Sequence, residues 1–142
     1  MTAYLDASIV LSYYLTEVHS DRAQEIYQTR SELEISELVE LEVLSSLSRL
    51  ARVGSIELDA AKEVSDLFDS HLREGLYGRR HLGAGHYRRA HDYIARFDLP
   101  LKAPAALHLA LCAAEELTLL TADRQLARNA GVLNVQTELV GQ

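Results

Sequence analysis

Three acidic residues of this sequence, Asp6, Glu42 and Asp123, lie in or beside apolar segments. Asp6 directly follows residues 3–5, and Asp123 comes shortly after residues 118–120. Glu42 lies in a segment that is apolar on most sides when drawn as a helix, at about 100° per residue. Clustered carboxylates repel one another, so a cluster of these acids would need a hard cation to stabilise it. Oxygen ligands without a nearby histidine or cysteine favour Mg²⁺ or Mn²⁺ over zinc.

Asp6 and Asp123 also have a structural explanation, because aspartate is a favoured N-cap residue. Each stands at the start of a predicted helix, where its carboxylate could accept hydrogen bonds from the first backbone N–H groups. Ser8 and Thr121 are competing caps at the same two turns. The residues alone leave both interpretations of these two acids open.

Glu42 shares one face of its predicted helix with Leu38, Ser46 and Arg49. An ion pair with Arg49, seven residues further along the helix, would explain the acid structurally. A place in a cluster of acids would explain it functionally, and the small serine leaves room for a partner to approach. Both interpretations again remain open.

Other combinations of residues give weaker indications of chemistry. Cys112 and His108 lie in one strongly apolar segment, so both are expected to pack in the core. The sequence contains no glycine-rich phosphate loop, no Gly-x-Ser-x-Gly motif and no His-Glu-x-x-His motif. A phosphoryl-accepting role for Asp6 is disfavoured, because no acid pair precedes it and no acid follows two residues later.

Short apolar strands alternate with amphipathic helices along the chain. The patterns predict strands near 3–5, 34–36, 118–120 and 132–135, and helices near 9–15, 21–30, 38–53, 59–72, 87–97, 104–115 and 123–130. Ser36 and Asp59 are expected to cap the third and fourth helices, and Gly54 and Gly131 to end the third and last. Residues 75–85 are expected to form a loop or a short strand.

This alternation predicts one α/β domain over residues 1–142, with a short, mostly parallel central sheet flanked by helices in three layers. In such folds, ligands bind outside the carboxyl ends of the strands. Asp6 and Asp123 stand at two such strand ends. If those strands are neighbours and the helix of Glu42 crosses their ends, the three acids meet.

The composition limits the classes of function. The chain has 142 residues, of which 48% are hydrophobic, and no apolar run approaches the roughly 20 residues of a membrane span. No secretory signal is recognisable, and the single cysteine excludes an intrachain disulfide, so a cytoplasmic setting is expected. The net charge of −7 opposes a general electrostatic attraction of nucleic acid to the protein. Any binding of nucleic acid must then rely on metal ions or on a local basic patch.

One local basic patch is present. It contains four arginines and three histidines within a short segment: Arg79, Arg80, His81, His86, Arg88, Arg89 and His91. The patch could be a solvated loop and helix face. It could equally contact phosphates, with the four arginines as weak candidates for RNA binding.

Four short blocks of sequence occur in order along the chain: YLDAS at residues 4–8, EVLSSL at 42–47, APAALHLA at 103–110 and LTADR at 120–124. Taken together, these blocks resemble the PIN domain, and specifically the VapC toxins of bacterial toxin–antitoxin pairs. Each block is weak alone, but four in order over nearly the whole chain form a specific pattern.

The resemblance implies an endoribonuclease that cuts RNA, such as tRNA, with Mg²⁺ or Mn²⁺. Asp6, Glu42 and Asp123 would be the catalytic metal ligands, with Ser8 and Thr121 orienting them. His108 would then be a packing residue rather than a base.

The resemblance also implies partners. The expected ones are a VapB-like antitoxin, whose tail can place a cationic side chain among the acids, and a second copy of the chain in a homodimer. No membrane partner is expected. The early helices over residues 9–30 are candidate surfaces for either partner, although their apolar residues could equally be core.

Ala105 departs from the family pattern, which has aspartate immediately before Ala-Leu-His-Leu-Ala. Either the natural protein has lost a metal ligand, or the chain is an Asp→Ala variant of a toxin made harmless to its host. In both cases metal binding is expected to weaken and cleavage to be slow or absent. The rival hypothesis is a catalytically inactive PIN-fold module that binds an antitoxin or RNA.

Overall fold

The computed structural model of the protein describes residues 2–141, in which strands and helices alternate. The elements are β1 (Ala3–Leu5), α1 (Ala7–Tyr14), α2 (Ser20–Thr29), β2 (Leu33–Ser36), α3 (Glu37–Arg52), α4 (Leu58–Arg73), β3 (Gly78–Arg80), α5 (Ala84–Ile94), α6 (Ala103–Glu115), β4 (Thr118–Thr121), α7 (Arg124–Val132) and β5 (Thr137–Leu139). None of the helices in this described part has the length and apolar character needed to cross a membrane.

The strands pair in the order β3-β2-β1-β4-β5, and every pairing is parallel. The central strand is β1, in which Leu5 lies beside Leu120 of β4. The chain extends the sheet first on one side of β1 and then on the other, so right-handed crossovers place helices on both faces. The predicted α/β class, with a parallel sheet flanked by helices, is confirmed.

The two strands that lead to predicted acids are buried over their whole length, which explains why their sequences are apolar without alternation. Leu5, Leu119 and Leu120 expose none of their surface. Burying a leucine side chain fully stabilises a fold by about 1.5–3 kcal/mol. A site at the carboxyl ends of β1 and β4 is therefore attached to the buried centre of the sheet.

The helix α3 is bounded as predicted. The Ser36 Oγ accepts a hydrogen bond from the Val39 N–H at 3.4 Å, which makes Ser36 its N-cap. At the other end Gly54 adopts a positive φ of 79°, a conformation that glycine takes without strain. The buried residues Val39 and Val43 attach this helix to the core.

Three other predicted boundaries are wrong. Gly131 lies inside α7, which ends one residue later, and Asn134 turns the chain with a φ of 58°. The last strand therefore forms at Thr137–Leu139 rather than at residues 132–135. In α4 the N-cap is Glu57, and Asp59 lies in the first turn.

The helix α5 begins three residues before its predicted start and ends three before its predicted end. Its start is fixed by the Nδ1 of His86, which accepts a hydrogen bond from the Gly83 N–H at 2.9 Å. The chain turns out of the helix before Phe97, whose φ is 60°. A hydrophobic pattern contains neither signal, so both ends were predicted too late in the sequence.

Candidate functional site

A cleft of about 200 Å³ lies at the carboxyl ends of β1 and β4. Its lining residues are Asp6, Ala7, Ser8, Glu42, Ala105, His108, Asp123 and Leu126. The structure thus brings the three predicted acids into one cleft, together with the position that departs from the family pattern. The three acids meet as the sequence predicts, because β1 and β4 are neighbours in the sheet and α3 presents Glu42 at the carboxyl ends of both strands.

Asp6 is buried directly after β1 and is tied down on both carboxylate oxygens. Its Oδ1 accepts hydrogen bonds from the Ser8 Oγ at 2.5 Å and the Ile9 N–H at 3.3 Å. Its Oδ2 accepts one from the Thr121 hydroxyl. Burial raises the pKa of Asp6 above its ordinary value, and the two hydroxyl donors oppose that shift. Asp6 is therefore both the N-cap of α1 and a cleft residue.

The predicted supporting residues, Ser8 and Thr121, join the two turns that carry acids. The Ser8 Oγ accepts a hydrogen bond from the Ala122 N–H at 3.0 Å while it donates to Asp6. The Thr121 Oγ1 accepts one from the Asp123 N–H at 2.9 Å while it donates to Asp6. Neither residue is a helix cap. Their hydrogen bonds connect the turn that carries Asp6 to the turn that carries Asp123 and fix the relative positions of the two turns.

Asp123 is the N-cap of α7 and is exposed at the rim of the cleft. Its Oδ1 accepts hydrogen bonds from the Gln125 N–H at 2.9 Å and the Leu126 N–H at 3.1 Å. Within residues 2–141, its Oδ2 accepts no hydrogen bond. One oxygen thus serves the helix and the other remains free for a ligand.

Glu42 bonds to His108 and not to Arg49. The Glu42 Oε1 lies 2.5 Å from the His108 Nε2, and the His108 Nδ1 lies 2.7 Å from the Tyr4 hydroxyl. His108 is buried, as expected of a packing residue, yet it also lines the cleft and holds an acid. The sequence signal for this role is a histidine within the apolar stretch of α6, three residues after Ala105.

The donor types fit a hard cation, since the three acids offer carboxylate oxygens and no cysteine lines the cleft. The ligand set is incomplete, however. In the described part of the chain, no three histidine, cysteine or acidic side chains stand together as a metal-holding group. Ala105 contributes no oxygen at the position where the family pattern has aspartate.

The arginines of the basic patch fall into two pairs. Arg79 bonds to both oxygens of Glu40, at 2.8 and 2.7 Å. Arg80 bonds to Glu34 at 2.5 Å and to Glu115 at 2.7 Å. These two candidates for RNA binding are thus already partnered by carboxylates. The other two arginines are exposed on α5.

The match to a known family rests on most of the chain. The sequence model of the PIN domain matches residues 3–132. The chain belongs to the PIN domain family. Three of the cleft positions in this PIN domain, at residues 6, 42 and 123, are carboxylates, while residue 105 is alanine. None of the curated proteins matches the chain in sequence at a significant level.

Solved structures share the fold of this PIN domain at low sequence identity. A chain of VapBC2 from Rickettsia felis, solved with a promoter DNA fragment, aligns with a TM-score of 0.69 at 16% identity over 98% of each chain. VapC20 from Mycobacterium tuberculosis, a toxin that cleaves the sarcin-ricin loop, gives 0.68 at 14%, over 89% of this chain and 94% of its own. A chain of FitAcB from Neisseria gonorrhoeae gives 0.69 at 12%, over 96% of each.

Proposed function

We propose that this chain is a VapC-type toxin, a single PIN domain over residues 1–142 built as a metal-dependent endoribonuclease and impaired by Ala105. One observation carries the proposal: Asp6, Glu42 and Asp123 line one cleft at the carboxyl ends of two buried parallel strands. Carboxylates are gathered in this way where a cation offsets their repulsion.

In the proposed mechanism, Asp6, Glu42 and Asp123 hold Mg²⁺ or Mn²⁺. When bound, the ion lowers the pKa of a water and neutralises charge on the phosphate. The fold supplies positioning, because the Ser8 and Thr121 hydroxyls fix Asp6. The incomplete ligand set lowers cation affinity, so the chain cuts slowly or not at all.

The proposed substrate is folded RNA, such as a tRNA, in the cytoplasm. Support comes from the fold shared with VapC20, which is described as a toxin that cleaves the sarcin-ricin loop. Arg88 and Arg89 are exposed on α5, and in residues 2–141 no carboxylate pairs with either. These two arginines remain candidates for phosphate contacts, whereas Arg79 and Arg80 are engaged within the fold.

Replacing Arg88 or Arg89 by alanine, one residue at a time, is expected to weaken binding of purified tRNA in EDTA. The slope of the logarithm of the tRNA-binding constant against the logarithm of salt concentration should become shallower by about 0.7–0.9 for each lost phosphate contact. Arg73→Ala on α4 is the matched control, because it removes the same charge from an exposed position that does not line the cleft. Equal slopes for all three variants and the unmodified chain would contradict a role for α5 in RNA contact.

The proposed partners are a VapB-like antitoxin and a second copy of the chain. The antitoxin proposal is supported by the shared fold with VapBC2 and by the acidic cleft, which an arginine side chain could enter. The apolar residues Ile9, Val10, Ala23 and Ile26 of the first two helices lie in the core. They are therefore not available as a partner surface, which leaves the cleft as the better-supported contact.

Acetyl-arginine amide is expected to compete with Mn²⁺ for the cleft, since guanidinium pairs with carboxylates. The measurement is a Mn²⁺ titration by calorimetry with and without the amide. Acetyl-citrulline amide is the neutral control of nearly the same shape. If both amides leave the Mn²⁺ affinity unchanged at millimolar concentration, an arginine does not occupy this cleft.

The catalytic proposal is tested by incubating tRNA with Mg²⁺ or Mn²⁺ and either this chain or its Ala105→Asp variant. Cleavage by the variant that EDTA stops would support a metal-based nuclease. The alternative is a catalytically inactive module, which Ala105 and the incomplete ligand set favour. That alternative predicts RNA binding without cleavage by either protein, and no gain in Mn²⁺ affinity on restoring the acid.

A further inference from the structure

A buried chain of hydrogen bonds runs from the N-cap of α3 to the cleft. The Ser36 Oγ lies 2.7 Å from the Tyr4 hydroxyl, which lies 2.7 Å from the His108 Nδ1. The His108 Nε2 then lies 2.5 Å from the Glu42 Oε1. Ser36 and Tyr4 expose none of their surface and His108 exposes 3%, so bulk water does not compete with the bonds among these three residues.

The protons of this chain can be assigned by counting donors and acceptors. The Ser36 Oγ accepts a hydrogen bond from the Val39 N–H, and within residues 2–141 the Tyr4 oxygen is the only acceptor for its own proton, so Ser36 donates to Tyr4. The single Tyr4 proton then goes to the His108 Nδ1. The reverse direction would leave the Ser36 proton without an acceptor in residues 2–141.

This direction fixes the tautomer of His108. With Nδ1 accepting from Tyr4, a neutral ring carries its proton on Nε2 and donates it to Glu42. The carboxylate is then held by one oxygen only, since within the described residues Oε2 has no hydrogen-bond partner. Histidines and carboxylates paired in this way orient metal ligands from outside the coordination shell.

We propose that His108, with its tautomer set by Tyr4 and Ser36, is a positioning residue that holds the Glu42 Oε1 so that Oε2 faces an incoming cation. The inference rests on the proposed function, because it assumes that Glu42 is a cation ligand. It adds a role for α6, which has no acid at residue 105. One turn later, His108 of this helix positions a cation ligand of the cleft.

The first test is spectroscopic and needs no metal. In a long-range ¹H–¹⁵N spectrum of the labelled chain, His108 should show the pattern of a neutral Nε2–H tautomer. Tyr4→Phe removes only the hydroxyl from a buried ring and should shift the ring towards a mixture of tautomers. Tyr77→Phe is the matched control, since the Tyr77 hydroxyl bonds to Tyr14 and Tyr27 and to no cleft residue. A Nδ1–H tautomer in the unmodified chain would overturn the proposal.

The second test is Mn²⁺ affinity by calorimetry, measured in the chain and in its Ala105→Asp variant. His108→Leu should bind Mn²⁺ about 10- to 100-fold more weakly, as is usual when a residue that orients a ligand is lost. His108→Gln, whose amide can still donate to Glu42, should recover most of the affinity. Tyr4→Phe should lie between the two, and it provides the comparison if His108→Leu does not fold.

The outcomes separate this inference from the proposed function. If Mn²⁺ binds and neither His108→Leu nor Tyr4→Phe weakens it, the positioning role is wrong while the metal site stands. Tighter binding in His108→Leu would also overturn the role, because His108 would then compete with the cation for Glu42. If neither the chain nor the Ala105→Asp variant binds Mn²⁺, the proposed function fails and this inference with it.

Discussion

Replacing Ala105 by aspartate is expected to raise both Mn²⁺ affinity and the RNA cleavage rate by about 100-fold or more. The cleft of about 200 Å³ and a neighbouring one of about 260 Å³ are both lined by Ala105, Asp123 and Leu126. A carboxylate at residue 105 therefore has space at their junction. It would add a fourth acid to the three already in the cleft.

Ala105→Asn is the control for this variant, because it adds nearly the same volume without the charge. It should gain neither affinity nor activity. The acid also lies in the first turn of α6, where the interaction of a negative charge with the helix dipole stabilises the fold by about 0.3–1 kcal/mol. In EDTA that gain opposes repulsion from the other carboxylates, so the stability should change little until Mn²⁺ is added. An equal rise in cleavage rate for both substitutions would contradict a ligand role at residue 105.

Asp6→Asn is expected to slow cation-dependent cleavage strongly while it stabilises the metal-free fold. In the Ala105→Asp background, loss of a ligand of this kind should lower the cleavage rate by about 10²- to 10³-fold, equivalent to roughly 3–4 kcal/mol of barrier. The gain in stability near neutral pH arises because burial penalises the charged form of this carboxyl.

The pH dependence of stability follows from the same raised pKa. Below the ordinary aspartate pKa, Asp6 is protonated in both the folded and the unfolded chain and imposes no penalty. As the pH rises through that value, the unfolded chain ionises first, so the contribution of Asp6 to the free energy of unfolding falls. The fall ends once the pH passes the raised pKa of the folded state.

The carboxamide introduced by Asp6→Asn cannot ionise, so this variant should lack that part of the pH dependence. The check is urea unfolding in EDTA from about pH 4, near the ordinary pKa of aspartate, up to neutral pH. Asp66→Asn, on the exposed face of α4, removes the same charge and should leave the profile unchanged. A variant that is less stable than the unmodified chain throughout would show that the hydrogen bonds that the Asp6 carboxylate accepts from Ser8 and Thr121 outweigh the cost of burying its charge.

The convergence of the three acids could be predicted because it depends on local signals and a topological rule. Asp6 and Asp123 each end an apolar strand, and parallel strands deliver their carboxyl ends to the same edge. The cap and ligand interpretations of these residues turn out to be compatible. Each aspartate caps a helix and still lines the cleft.

The partners of Glu42 and of the arginines could not be predicted, because they come from distant parts of the sequence. His108 lies 66 positions from Glu42, and helical spacing shows only that its neighbours are apolar. Arg80 meets Glu34 because β3 pairs with β2 in parallel, a pairing that no local pattern contains. Charge in a sequence predicts a basic patch, but only the fold shows which charges are already neutralised.

The two capping aspartates also bear on how the protein can change by mutation. Asp6 and Asp123 each accept backbone N–H groups at a helix start, so replacing either by a residue that cannot cap loosens the fold as well as the site. Position 105 has no capping role, since Lys102 is the N-cap of α6. An acid at this position can therefore disappear without the loss of a helix cap, and the protein can still fold. A toxin could thus be silenced there by one substitution and persist as a binding protein.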